Sequence, residues 1–158
     1  MKPKIILWII LWLVIGSIVA AILYKSWPIL FPHASVEAEL DPDCNLRSGP
    51  CLTIFPDGGK ATFSINPQSI PVMKKLDLLV ITEGLDVNSV EVDFSGTDMY
   101  MGFNRIKLKK ISTVNFSGEG IIPVCARDAM EWEAKVMMKT SNGLYIAPYR
   151  FITVKPNN

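Results

Sequence analysis

The chain has 158 residues and nearly balanced charge, with 16 lysines and arginines against 15 aspartates and glutamates. This balance does not support the strongly basic surface that nucleic-acid-binding proteins use to contact phosphates, so no nucleic-acid partner is expected. After an apolar amino-terminal stretch, the remaining length suits one domain of about 110 residues and leaves no room for a second.

The amino-terminal segment from Ile5 to Leu23 contains no charged residue. A helix of that length nearly spans the roughly 30 Å hydrocarbon core of a bilayer, so residues 1–25 are predicted to form a transmembrane anchor. Lys2 and Lys4 precede the span and acidic residues follow it, a pattern that favours a cytoplasmic amino terminus. We therefore expect a single-pass protein of the inner (cytoplasmic) membrane, with its domain in the periplasm or outside the cell. The alternative is a signal peptide cleaved at Val19-Ala20-Ala21, although the apolar stretch exceeds the roughly 7 to 15 residues usual for one.

Residues 26–50 combine four prolines with four acidic residues, a composition that predicts a linker. The linker contains Cys44, and an exported chain meets oxidising conditions in which thiols pair. Cys44 and Cys51 enclose a short loop containing Gly49-Pro50, which favours a disulfide between them and leaves Cys125 free. A bridge between Cys51 and Cys125 is the alternative.

From residue 51 to residue 158, short β-rich runs alternate with turn residues at the spacing typical of a sandwich or barrel. The predicted strands, about eight in number, lie at 52–55, 61–66, 75–83, 90–94, 106–108, 114–116 paired with 120–125 around Gly118, 132–138 and 144–154. The continuous apolar centre of 75–83 predicts a well-buried strand. An immunoglobulin-like antiparallel β-sandwich is the simplest fold that packs such strands in this length. The predicted fold class is therefore all-β, with one transmembrane helix before the domain.

Residues suited to catalysis are sparse. The only histidine, His33, lies in the predicted linker, so a serine or cysteine nucleophile would lack its usual base. Carboxylate pairs such as Glu91 and Asp93 have the spacing of solvated strand faces. We therefore expect a protein that is not an enzyme and has no catalytic residues.

The segment Gly96-Thr97-Asp98-Met99-Tyr100-Met101-Gly102 places two methionines on alternate positions. In an extended segment both thioethers would point to the same side, and soft sulfur ligands suit Cu(I). Met130 and Cys125 could approach from a neighbouring strand. The predicted metal ligands are therefore Met99, Met101, Met130 and Cys125, against the alternative that the methionines fill gaps in the core.

The order of these features resembles the small membrane-anchored immunoglobulin-like proteins of the FixH and YtkA type. The similarity runs from Val90 onward and depends on the Met-Gly turn at 101–102, a β pair ending at Pro123 and the strand start Met130-Glu131-Trp132. It implies a part in copper handling or in assembly of haem-copper respiratory oxidases, with copper as the ligand and oxidase subunits or other envelope proteins as partners. The chain departs from that pattern in lacking histidines near the methionine turn and in carrying three cysteines.

Two hypotheses follow. The first is a non-enzymatic, membrane-tethered envelope protein that assists copper handling or oxidase assembly. The second is a metal-free structural or interaction domain of an envelope membrane complex, joined to its partners through a strand edge or through the helix.

Overall fold

The computed structural model describes the backbone of residues 3–30, 36–125 and 127–155. The chain divides into two units, one up to residue 33 and one from residue 34 onward. Helix α1 of the first unit runs over Pro3–Leu30. Within it, Trp8–Ser26 has a mean hydropathy of 2.1 and is long and apolar enough to cross a membrane. A helix satisfies its own backbone hydrogen bonds, as lipid requires, and this one continues beyond its predicted end at residue 25.

The described part of the second unit contains nine strands. They are β1 Val36–Glu37, β2 Cys51–Ile54, β3 Lys60–Asn66, β4 Lys75–Glu83, β5 Val87–Gly96, β6 Arg105–Lys110, β7 Asn115–Ile121, β8 Ala129–Thr140 and β9 Gly143–Val154. They hydrogen-bond in the order β1-β9-β8-β5-β6-β7-β4-β3-β2. The pair β1 and β9 is parallel and the other pairs are antiparallel, so the sheet is mixed.

The sheet curls at β6, which belongs to both of its halves. Residues 105–108 of this strand pair with β5, and Lys109 and Lys110 pair with β7. The curl brings distant members of the strand order together, since Tyr149 on β9 contacts Thr53 on β2 and Phe63 on β3. The prediction of a β-rich fold behind one apolar helix is confirmed, while the immunoglobulin-like arrangement stays a prediction.

The core lies inside this curl and is built from alternate strand residues. In β4, Leu76, Leu78 and Val80 are buried, whereas Leu79 between them is exposed. The well-buried strand predicted there is therefore covered on one face only. The largest fully buried side chain is that of Trp132, whose indole N–H donates a 2.9 Å hydrogen bond to Thr153 Oγ1.

Residues 36–50 are part of the folded unit, which corrects the linker predicted over 26–50. Strand β1 extends the sheet beside β9, and the side chain of Leu46 is buried in the core. The guanidinium of Arg47 donates hydrogen bonds to the carbonyl of Ile152 at the end of β9. A few apolar contacts and backbone hydrogen bonds are enough to fix this segment, even though its composition is that of a linker.

The predicted disulfide between Cys44 and Cys51 is confirmed, with Cα atoms 5.6 Å apart. It ties the packed segment to the start of β2. Cys125 is free and buried, as predicted. His33 lies outside the described residues.

The hairpin predicted around Gly118 is instead the single strand β7. A Cβ atom at Gly118 would lie 2.6 Å from Leu108 Cδ2, and one at Gly120 would lie 2.9 Å from Ile106 Cδ1. The two glycines therefore give room to side chains of β6 and do not form a turn.

Candidate methionine site

The methionine loop, residues 97–104, joins the end of β5 to the start of β6. It is held to two neighbouring strands at the same end of the sheet. The N–H of Thr97 donates to the carbonyl of Glu131 at 3.2 Å, and Asn104 Nδ2 donates to the carbonyl of Ile121 at 2.9 Å. The loop is thus fixed beside the start of β8 and the end of β7.

Gly96, the last residue of β5, is the point on which two of the predicted ligands converge. A Cβ atom at this position would overlap Met130 Cε and would lie 3.5 Å from Met101 Cγ. Met130 Cε therefore occupies the space that the absent side chain of Gly96 leaves open, and Met101 Cγ lies at van der Waals distance from it. Met130 is 4% exposed, and Met101 is half-buried against the core.

The other two predicted ligands are placed differently. Met99 is 40% exposed, and its carbonyl oxygen faces Gly96, 2.5 Å from where a Cβ atom of that residue would lie. The loop bends at residues 97–99 and is not an extended strand, so Met99 and Met101 do not share one environment as their spacing predicts. Cys125 is buried in the segment after β7 and belongs to the same apolar core as Met130.

The structure also reveals an apolar surface that sequence reasoning missed. Tyr100 is 78% exposed and Phe103 is 88% exposed, and their rings meet edge to face with centroids 6.3 Å apart. We define the apolar tip as the exposed side chains of Tyr100 and Phe103. The signal available in the sequence was the pair of aromatic residues flanking Met101, since large apolar groups left in water commonly mark an interaction surface.

The side chains nearest to Gly96 carry sulfur, while the carboxylates at this end of the domain, Asp98 and Glu131, are engaged by Arg127 and by the Thr97 hydroxyl. In residues 36–125 and 127–155, no group of three or more histidine, cysteine, aspartate or glutamate side chains is arranged to hold a metal ion. The ion pair of Asp98 with Arg127, at 3.3 Å, is exposed and contributes little stability. Thioethers fit soft Cu(I) and do not fit oxygen-preferring cations.

The shifted pKa values belong to the framework of the fold. The Tyr145 hydroxyl donates a hydrogen bond to the Asp57 carboxylate, which lowers the pKa of Asp57 and raises that of Tyr145. Burial raises the pKa of Tyr149 to about 12. Each shift follows from packing or from a hydrogen bond between strands, and none of these groups lies in the methionine loop.

Comparison of the chain with models of protein families, with curated proteins and with solved structures finds no match.

Proposed function

We propose that this protein is a non-enzymatic, membrane-tethered protein of the bacterial envelope that binds Cu(I) at its methionine loop. The observation that supports the proposal is the convergence of Met101 and Met130 on Gly96. The apolar helix α1 supplies the tether. The lysines that precede its apolar stretch lead us to propose the inner membrane, with the domain on the periplasmic or outer side.

The ligands are neutral thioethers in a half-buried site. Met101 and Met130 contribute two sulfur atoms, and Met99 supplies the third by rotating its flexible side chain toward Gly96. Soft, uncharged ligands favour a monovalent soft ion. A divalent ion would lose more hydration free energy on entering the site than coordination by neutral thioethers would restore. Cys125, in the segment after β7, is the fourth candidate sulfur ligand.

The biological role follows from the tether and from the resemblance to FixH- and YtkA-type proteins. A helix in the bilayer holds the domain close to membrane partners and so raises their effective concentration. Together with that resemblance, the tether favours copper delivery to, or assembly of, a haem-copper respiratory oxidase, with its subunits or other envelope proteins as partners.

The copper proposal is tested by competition titration of Cu(I) against a chromophoric chelator, with full-length protein in a nonionic detergent. Met101→Leu combined with Met130→Leu preserves side-chain volume and removes both sulfur atoms, so we expect affinity to fall at least about tenfold. Met137→Leu, on the outer face of β8, is the matched control and should leave affinity unchanged. Equal affinity of the double variant and the unmodified protein would reject the site.

The apolar tip favours a second candidate function, a metal-free interaction domain of an envelope complex. Exposed Tyr100 and Phe103 are the residue types enriched at protein interfaces. Under this alternative, Tyr100→Ser with Phe103→Ser should abolish co-purification of a membrane complex in mild detergent, and copper chelation should leave that complex intact. A complex that survives the serine substitutions would exclude the tip as its interface.

A further inference from the structure

Strand β2 lies at one end of the strand order and pairs on one side only, with β3. The N–H of Phe55 donates to the carbonyl of Gly59 at 2.8 Å. This bond shows which residues of the pair hydrogen-bond to each other and which point away. Because hydrogen bonding alternates along an antiparallel pair, residues 51 and 53 also direct their backbone groups toward β3. The backbone groups of Leu52 and Ile54 therefore point to the open side of β2.

The open side of β2 faces a groove of about 590 Å³, which we call the seam. One wall is residues 37–41, and the other is residues 52–56. The first wall belongs to the opposite end of the strand order, because Ala38 N–H donates to the carbonyl of Ile146 on β9. The seam is thus the gap at which the curled sheet fails to close on itself.

Two features make this edge unusual. Leu52 is 49% exposed and Ile54 is 62% exposed, and β2 carries no charged residue. Natural sheets normally protect such an edge with charge, proline in the strand or a covering element. An open apolar edge of this kind is suited to adding a further strand.

The charges of the seam select the strand that it accepts. The described residues that line the groove carry three carboxylates, those of Glu37, Glu39 and Asp41, and no basic side chain. These carboxylates repel an acidic segment and attract a basic one. A second copy of this chain would bring an identical acidic wall, so it is disfavoured as the occupant.

We propose that the seam binds an extended, basic segment of a partner protein by strand addition. The incoming backbone pairs with Leu52 and Ile54, its apolar side chains cover theirs, and its lysines or arginines face the carboxylates of residues 37–41. This site is separate from the methionine loop and does not depend on copper.

The test is fluorescence anisotropy of labelled peptides with the full-length protein in nonionic detergent. The probes are an eight-residue peptide of alternating lysine and valine, its glutamate–valine counterpart, and the lysine–valine peptide with alternate amides N-methylated. We expect the first peptide to bind with a salt-dependent affinity, and the other two to bind at least about tenfold more weakly. Equal binding of the lysine and glutamate peptides, or no binding of the first at about 1 mM, would overturn the proposal.

Protein variants locate the binding on the seam. Glu37→Gln with Glu39→Gln should weaken binding at least about fivefold, whereas Glu83→Gln with Glu91→Gln removes the same charge elsewhere and should not. Leu52→Pro removes an outward N–H while leaving the pairing with β3, and should also weaken binding. If that variant does not fold, the N-methylated peptide tests the same hydrogen bonds from the other partner.

Two results would count against the assignment. Unchanged binding by both the glutamine variant and the N-methylated peptide would show that the peptide binds elsewhere. Spontaneous disulfide-linked dimers of Ile54→Cys in membranes would show that a second copy occupies the edge.

Discussion

Thr53 donates its hydroxyl hydrogen to the phenol oxygen of Tyr149, with the two oxygen atoms 2.9 Å apart in the buried interior. The residues are 96 positions apart in sequence and belong to β2 and β9, from the two halves of the curled sheet. The Tyr149 hydroxyl also lies 3.5 Å from the carbonyl of Ala61. This contact therefore joins the halves across the core.

Tyr149→Phe is expected to lower the free energy of unfolding by about 1–2 kcal/mol, because it leaves the buried Thr53 hydroxyl without its acceptor. Thr53→Val added to that change removes the stranded hydroxyl and should recover part of the loss. The measurement is denaturant unfolding of the four proteins of the double-mutant cycle, followed by near-ultraviolet circular dichroism. Strictly additive effects would show that the two hydroxyls do not stabilise each other.

Alkaline pH is expected to destabilise the domain through Tyr149. Its pKa is raised to about 12 by burial, above the value of 10.0 for an exposed tyrosine. The contribution is fully present below pH 10 and is lost as pH rises toward 12, by about 3 kcal/mol in total. Unfolding midpoints measured between pH 8 and roughly pH 11 should fall more steeply in the unmodified protein than in Tyr149→Phe.

If the unfolding midpoint of Tyr149→Phe falls with rising pH as steeply as that of the unmodified protein, Tyr149 is not the source of the alkaline destabilisation. Some slope should persist in that variant, since the pKa of Tyr145 is also raised, chiefly by its hydrogen bond to Asp57.

Acid pH is expected to act through Asp57, in the turn between β2 and β3. The hydrogen bond from Tyr145 and then that from the Gly59 N–H lower the pKa of Asp57 below its ordinary 3.8. Stability from this group is present above the unfolded pKa and is lost as pH falls through the lower folded value. Tyr145→Phe should therefore flatten the acid limb of the stability profile, while Tyr100→Phe at the exposed tip should leave it unchanged. An identical acid limb in Tyr145→Phe would contradict the assignment.

Gly96→Ala is expected to lower stability by about 1–3 kcal/mol. The new Cβ would lie 2.5 Å from the carbonyl oxygen of Met99, which is backbone and cannot rotate away. It would also displace Met130 Cε and so weaken Cu(I) binding. Gly49→Ala is the matched control, because a Cβ there meets nothing within 4 Å. Thermal unfolding should give a lower melting temperature for Gly96→Ala than for Gly49→Ala. Equal melting temperatures would show that the methionine loop moves freely to admit the methyl group.

Features that depend on neighbours along the chain could be predicted from the residues alone. The apolar helix, the alternation in β8 and the short Cys44–Cys51 loop all follow from spacing within about ten residues. The packing of residues 36–50 could not be predicted in this way, because its composition is that of a linker and its partners lie in β9. The role of Gly118 could not be predicted for a similar reason, since this glycine admits Leu108 from another strand.

The amino-acid order thus accounts for the membrane-compatible helix, most strand positions and the disulfide, all of which are local consequences of hydropathy and spacing. The folded structure was needed for the curl at β6, the approach of Met101 and of Met130 to Gly96, the apolar tip and the open seam beside β2. These features arise from which strands pair, and pairing over long separations depends on the packing of the whole core, which no local periodicity encodes.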